Sequence, residues 1–253
     1  MKLRKELGTA IEAARRAGAC LRRAPAARGD ILSSAGRDIK LGADREAEDI
    51  ILAALAPSGR PVLAEESGEH GRLDATPFWV VDPLDGSLNF SRGLPLCCVS
   101  IGLCQGGEPV LGVVYDFERD EMFTGIVDEG AWHDDRLTSV STVGSAREAV
   151  LATGFPVNRD FGGEALADFV RAIAAFKRIR LLGSAALSLA YLASGRVDAY
   201  AEDDIMFWDV AAGIALVRAA GGFVTIEDSP RLKWAKRVRG AADRAIWRLG
   251  ADP

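Results

Sequence analysis

The sequence predicts a layered α/β fold in two closely associated halves. Three observations lead there: apolar residues at helical spacing open the chain and return in its second half, short β-rich runs fill the middle, and helices and strands mix without strict alternation. At 253 residues the chain is long enough to bury a substantial core.

Leu3, Leu7, Ile11, Ala14, Ala17 and Leu21 recur at three- and four-residue steps, which marks an amphipathic opening helix of about five turns. A second helix is expected over 43–55, with Ala47, Ile51 and Leu55 on one face and Pro57-Ser58-Gly59 as its stop. The short apolar runs 61–64 and 78–81 end in acidic residues and read as strands that deliver carboxylates. Two β-rich runs between Cys97 and Tyr115 flank Gln105-Gly106-Gly107, a tight hairpin turn, and 121–125 adds a third antiparallel strand. After a soft boundary near 140–150 the pattern gives a helix over 163–176, a strand over 179–182, a helix over 185–194 and a strand over 197–201. A helix over 209–220, closed by Gly221-Gly222, completes the second half.

Composition narrows the function classes. With 49% hydrophobic and 26% charged residues the chain reads as an ordinary globular protein. Its formal net charge of -5 argues against generic nucleic-acid affinity, so an anionic ligand must be met by local chemistry. The four cysteines, Cys20, Cys97, Cys98 and Cys104, lack the CxxC spacing of a zinc site or a disulfide framework and read as buried reduced thiols. No signal-peptide stretch and no membrane-length apolar run stand out, which leads to an expected cytoplasmic location. The two histidines, His70 and His133, fall in loop-like contexts, and neither GxSxG nor GxxxxGK[ST] occurs. A Ser-His-Asp hydrolase and a P-loop protein are therefore disfavoured.

The most informative stretch is FWVVDPLDGSLNF, residues 78–90. Four apolar residues form a buried strand, and the chain leaves it at Asp82, so a carboxylate stands at the strand's end. Asp82 and Asp85 lie three residues apart across a turn stiffened by Pro83 and relaxed by Gly86, and the Leu84 carbonyl supplies a further oxygen. Hard oxygen donors of this kind suit Mg²⁺. Asp-Pro and Asp-Gly are also ordinary turn signals. Glu65-Glu66 after an apolar run, and Asp44 and Asp209 at helix starts, enlarge the acidic set, although an Asp at a helix start also serves as a cap.

The segments AEES (64–67), WVVDPLDGSLNF (79–90) and WDVAAG (208–213) resemble the three signature blocks of the inositol monophosphatase family of lithium-sensitive phosphatases. DIKLGAD (38–44), GVVYDFERDEMFTG (112–125), TGFP (153–156), GSAALSLAYLASGRVDAY (183–200) and AGG (220–222) extend the likeness in order over roughly residues 36–225. The resemblance implies an αβαβα sandwich of the sugar-phosphatase type. It divides the chain into an N-terminal half, 1–145, with most metal ligands, and a C-terminal half, 146–253, with Asp209 and the substrate side. It also implies a homodimer.

For the site, the resemblance implies two to three Mg²⁺ ions. Glu65, Asp82 and the Leu84 carbonyl hold one, Asp82, Asp85 and Asp209 a second, and Glu65 reaches a third through water. Ser87 stands where the family has a catalytic threonine and keeps its hydroxyl; with Asp44, and with Glu65 on the metal side, it orients and helps deprotonate a metal-activated water that attacks phosphorus. Cations neutralise the phosphate dianion, acidify water and stabilise the leaving alkoxide, while the amides of Gly86 and Ser87 at a helix start add anion donors. On the substrate side the resemblance points to Gly183, Ser184 and Ala185 against the ring and to Glu202 as acceptor for its hydroxyls. The expected substrate is a small phosphorylated polyol such as inositol 1-phosphate. Histidinol phosphate, fructose 1,6-bisphosphate and 3'-phosphoadenosine 5'-phosphate are alternatives, and a non-catalytic binding protein is the rival of another class.

Two features depart from the pattern. Glu202-Asp203-Asp204 is unusually acidic, which reads either as a solvated loop or as a pocket for a cationic leaving group such as an amino alcohol. The last stretch, 229–253, is basic through Arg231, Lys233, Lys236, Arg237, Arg239, Arg244 and Arg248, and it reads as a solvated helix face or a contact for a phosphate-rich partner.

Overall fold

The computed structural model describes residues 2–23, 31–35, 38–73, 77–155 and 162–247. The N-terminal half runs α1 (Lys2–Arg23), β1 (Ile31–Ala35), β2 (Asp38–Leu41), α2 (Gly42–Leu55), β3 (Val62–Ala64), β4 (Gly68–His70), β5 (Phe78–Asp85) and α3 (Ser87–Ser91). The meander β6 (Cys98–Gln105), β7 (Glu108–Asp116), β8 (Glu121–Ile126), β9 (Gly130–His133) and β10 (Arg136–Thr138) follows. The remainder comprises β11 (Val150–Thr153), α4 (Gly163–Ile173), β12 (Arg178–Leu181), α5 (Ala185–Ala193), β13 (Ala199–Met206), α6 (Phe207–Ala219), β14 (Phe223–Asp228) and β15 (Ala235–Ala241). Among the described residues no helix is long and apolar enough to cross a membrane.

Two sheets organise these elements. An eight-stranded sheet has the order β10-β9-β8-β7-β6-β5-β3-β4, and a five-stranded sheet the order β12-β11-β13-β15-β14. The Gly106-Gly107 turn joins β6 to β7 with both glycines at positive φ, 61° and 84°, the twist that a two-residue hairpin needs. On one face of the large sheet, Trp79 and Val81 of β5 pack with Leu21 of α1 and Ile51 and Leu55 of α2. Phe78 and Val80, one residue out of phase, enter a second core with Leu189 of α5, Ile214 of α6 and Tyr200 of β13. A strand covered on both faces shows no alternation, which is why 78–81 is uniformly apolar. Beyond the small sheet, Leu151, Ala199 and Ala241 meet Phe176 and Ile246, with Ile173 of α4 against them. The order of layers is αβαβα. Helix α6 lies very close to the large sheet: a Cβ on Gly112 would stand 2.1 Å from the Ala212 carbonyl oxygen.

The structure corrects several sequence expectations. Strand β5 does not end at Asp82; it runs to Asp85, with its register against β6 broken between Asp82 and Asp85. Cys97, Cys98 and Cys104 are buried thiols, but Cys20 is only half-buried. The basic stretch is no helix face. Residues Ala235–Ala241 form β15, inserted between β13 and β14. His70 and His133 lie at the ends of β4 and β9, not in loops. Arg248 and Pro156 lie outside the described residues.

Candidate active site

The large sheet, α2 on its outer face and α6 between the sheets bring the predicted acidic residues to one place. Asp82 and Asp85 come from the irregular end of β5, Glu65 from the turn after β3, which lies parallel to β5, Asp44 from the first turn of α2, and Asp209 from the first turn of α6. Glu65 is fixed from two sides. Its own N–H donates to the Val81 carbonyl at 3.1 Å, and the next amide, of Glu66, donates to the buried Glu48 at 2.9 Å. Glu48 lies one helical turn beyond Asp44, so α2 supplies both a site carboxylate and a support for its neighbour.

Burial and mutual charge act together on this cluster. Lost hydration pushes Glu65 up to about 8, with the charges of Glu66, Asp44 and Asp85 adding to the rise and a hydrogen bond with Asp82 opposing it. Asp82, which is 1% exposed, is held well above the carboxylate range by burial and then by the charges of Glu65, Asp85 and Asp209. Burial raises Asp85 to about 6 against three kinds of stabilising hydrogen bond. Asp209 is raised by burial and by Glu65, Asp85 and Glu202. Glu65 and Asp209 keep part of their surface open and form the mouth of the site, while Asp44, Asp82 and Asp85 form its floor.

Asp85 and Asp209 each also hold a helix. Asp85 Oδ2 accepts from Ser184 Oγ at 2.6 Å and from the Ala186 amide at 2.7 Å, so a carboxylate from β5 caps the N-terminus of α5. Asp209 accepts from the Met206 backbone N–H, the backward half of a capping box, since Met206 is the N-cap of α6. The capping reading of Asp209 is therefore met by a side chain that also stands near Glu65, Asp85 and Glu202. Between Asp82 and Ser87 the chain folds tightly. The Leu84 amide donates to Asp82 Oδ1 at 2.9 Å, and Ser87 Oγ donates to the Leu84 carbonyl at 2.9 Å. Gly86 has φ 91°, and a Cβ there would meet the Leu96 carbonyl at 2.7 Å, so this turn requires glycine.

The substrate-side residues surround the same cluster. Gly183 and Ser184 precede α5, with Ser184 as its N-cap and Ala185 as its first residue. Glu202, 6% exposed, projects from β13 close enough for its charge to raise Asp209. Its carboxylate rests on Gly154, where a Cβ would come within 2.7 Å of Oε1. The acidic triplet divides. Asp203 receives Arg239 at 2.8 Å and Arg237 at 3.1 Å, and Asp204 receives Ser229 Oγ at 2.5 Å and Arg231 at 3.3 Å. The basic stretch and the acidic pair thus neutralise each other, which corrects both the solvated-loop and the cationic-pocket readings.

The partners of the two histidines lie outside the carboxylate cluster. His70 shares a hydrogen bond with Ser67 at 2.6 Å, and His133 stacks on Phe123 at 4.6 Å between centroids. Sequence reasoning missed Glu48, Asn89, Gly154 and Tyr200. Asn89, Gly154 and Tyr200 fall inside the family-like segments, but nothing in their type or spacing marked them. Tyr200 is wholly buried, and burial together with Glu202, Asp209 and Asp85 drives its phenol upward.

Whether cations fit is decided by the donor set. Five carboxyl groups and a main-chain carbonyl are hard oxygen donors, and packing several carboxylates together out of water is costly unless positive charge joins them. Among the described residues no three His, Cys, Asp or Glu side chains stand in ligating geometry around one point; Glu65 is hydrogen-bonded to Asp82 instead. The residue types fit Mg²⁺.

Comparison with known proteins gives a consistent result. A family model described as the inositol monophosphatase family matches residues 2–248. The chain is similar to the inositol-1-monophosphatase of Mesorhizobium japonicum, 42% identical over 189 residues that cover 74% of this chain and 71% of that protein. It is also similar to the Nus factor SuhB of Pasteurella multocida, 37% identical over 226 residues, 86% of this chain and 84% of the other. Among solved structures, the inositol monophosphatase from Anabaena (Nostoc) sp. PCC 7120 superposes with a TM-score of 0.84 at 36% identity, covering 96% of this chain and 92% of that one.

Proposed function

The chain belongs to the inositol monophosphatase family, and from that premise we propose that it hydrolyses a small phosphate monoester of a polyol, inositol 1-phosphate or a close analogue, with Mg²⁺ as cofactor. The observation that carries this reading is the gathering of Asp44, Glu65, Asp82, Asp85 and Asp209, where burial holds four of them above the ordinary carboxylate range and the charges of neighbouring carboxylates add to the rise at Glu65, Asp82 and Asp209. In this proposal Glu65, Asp82, Asp85, Asp209 and the Leu84 carbonyl hold the ions. When bound, Mg²⁺ supplies Lewis acidity that offsets phosphoryl charge, acidifies water and stabilises the leaving oxygen.

The chain's own residues do the rest. Ser87 donates its proton to the Leu84 carbonyl, which leaves its lone pairs to accept from a water, and Asp44 stands by Glu65 to take the proton that the water gives up. The amides of Gly86 and Ser87 offer donors to the phosphate. Glu202 accepts from hydroxyls of the leaving group. A neutral polyol is favoured over an amino alcohol, because Asp203 and Asp204 are already paired with Arg237, Arg239 and Arg231. Exposed Leu88, Leu94 and Leu181 support the homodimer as part of the same reading, with lithium inhibition as a companion expectation.

Phosphate release from inositol 1-phosphate, glycerol phosphates, histidinol phosphate, fructose 1,6-bisphosphate and 3'-phosphoadenosine 5'-phosphate, with Mg²⁺ and with EDTA, tests the proposal. Turnover on the polyol esters that needs Mg²⁺ supports it. No turnover on any ester refutes the enzyme reading, and preference for histidinol phosphate refutes the polyol assignment.

A further inference from the structure

Asn89, two residues beyond Ser87 in α3, joins parts of the molecule that the proposed chemistry leaves separate. Its Nδ2 donates to the carbonyls of Leu96 and Leu182, both at 2.8 Å, and lies 3.3 Å from the Gly183 carbonyl. One carboxamide thereby ties α3, the loop before β6 and the lead-in to α5. The fit is close. Gly183 has φ 70°, where a side chain is strained, and a Cβ on it would press on the carboxamide at 3.0 Å from Nδ2.

The same lead-in is held from its other end by Asp85, through Ser184 Oγ at 2.6 Å and the Ala186 amide at 2.7 Å. Asp85 and Asn89 lie four residues apart on either side of Ser87. The wall at Gly183–Ala185 is therefore pinned at two points to the one turn that carries Ser87. Only a group with two N–H donors on a single nitrogen suits this set of carbonyls. An aspartate of the same size would turn oxygen lone pairs toward them, and alanine would leave them without their donor.

We propose that Asn89 is a positioning residue for leaving-group selection: its carboxamide sets the distance between the Gly183–Ala185 wall and the Ser87 turn, and so decides which alcohol fits between them. The role rests on the phosphomonoesterase reading and deepens it. Asn89 acts through the wall, so its effect falls on binding of the alcohol part and not on the phosphoryl group that all substrates share.

The test compares the wild-type chain with Asn89→Ala and Asn89→Asp on inositol 1-phosphate and on phenyl phosphate, whose leaving group has no ring hydroxyls to place. For both variants kcat/KM on the inositol ester falls by at least about tenfold, the worth of one hydrogen bond, chiefly through KM. On phenyl phosphate the loss stays below about threefold. Hydrogen exchange in a peptide spanning 182–187 accelerates in both variants while exchange in the β6–β7 hairpin does not. Equal losses on the two esters, a wild-type-like Asn89→Asp, or unchanged exchange at 182–187 overturns the proposal. Wild-type protein that hydrolyses neither ester overturns the inositol-ester reading on which the selection role rests, and the role with it. Unchanged exchange with normal wild-type turnover overturns the Asn89 role alone.

Discussion

Replacing Asp85 by Asn should make the protein more stable at pH 8 in EDTA while it disables the proposed reaction. In the folded chain burial raises the Asp85 pKa from 3.8 to about 6. Because the folded value lies above the unfolded one, the folded state binds more protons between them, and stability falls as pH rises through that window. Below pH 3.8 the group is protonated in both states and contributes no penalty. Above pH 6 the whole penalty applies. About two pH units at 1.36 kcal/mol each give about 3 kcal/mol at pH 8 and only about 0.5 kcal/mol at pH 4. The carboxamide introduced by Asp85→Asn would keep an oxygen to accept from Ser184 and Ala186 and so retain the cap on α5. At about 2–4 °C per kcal/mol for a chain of this size, the melting temperature should rise by roughly 6–12 °C at pH 8 and by only about 1–2 °C at pH 4. Differential scanning calorimetry at both pH values, in EDTA, measures this directly. An Asp85→Asn protein no more stable than wild type at pH 8, or equally stabilised at pH 4, would refute the account of Asp85 as a destabilised buried charge.

Other consequences are equally direct. Asp82→Asn should lower Mg²⁺-dependent turnover at least about a thousandfold with an unchanged circular dichroism spectrum, since it removes an ion ligand and its charge together; surviving turnover would show the ligand assignment to be wrong. Gly154→Ala places a Cβ 2.7 Å from Glu202 Oε1, which should displace the carboxylate and raise KM for a polyol phosphate by about tenfold, and an unchanged KM would remove Glu202 from the substrate side. Gly112→Ala sets a Cβ 2.1 Å from the Ala212 carbonyl and should cost about 3 kcal/mol or more through the forced displacement of α6, read as a lower urea midpoint; an unaltered midpoint would mean that α6 is not seated so closely.

Much of the fold was legible because hydrophobic period is a local property. The three- and four-residue steps from Leu3 to Leu21 belong to a helix with one buried face, and that is how α1 packs. The Gly106-Gly107 turn fixed the β6–β7 hairpin for the same reason. The end of β5 was harder. Pro83 and Gly86 signal a turn, yet Cys98 still pairs with Asp85 after the register breaks, so the strand outlasts its local signal. Strand β15 was lost for a different reason. Arg237 and Arg239 follow the alternation of a strand but the adjacent Lys236 breaks it, so the run looked like solvent-facing charge, and the partners Asp203 and Asp228 lie in strands that sequence spacing does not bring near.

The site shows a similar division. Residue type alone marked Asp82 and Asp85 as donors, and family resemblance was needed to add Asp44, Glu65 and Asp209, because nothing in their spacing implies that the starts of α2 and α6 meet β5. The supports escaped notice altogether: Glu48 and Asn89 act on backbone groups, and a side chain that bonds a carbonyl or an amide leaves no pairing pattern in sequence. The acidic triplet gives the opposite lesson. Successive residues on a strand face opposite sides, so Glu202 and Asp203 could never have lined one pocket once both lay on β13. Glu202 follows Tyr200 toward the carboxylate cluster, whereas Asp203 shares the face of Arg239, which pairs across from Ala201. Asp204 would return to the Glu202 side in a regular strand; the irregularity after Glu202 and a φ of 58° at Asp204 turn it instead toward Ser229 and Arg231. The bulge therefore leaves one carboxylate of the triplet, Glu202, facing the proposed alcohol site. A single carboxylate there can accept from the hydroxyls of the polyol proposed above.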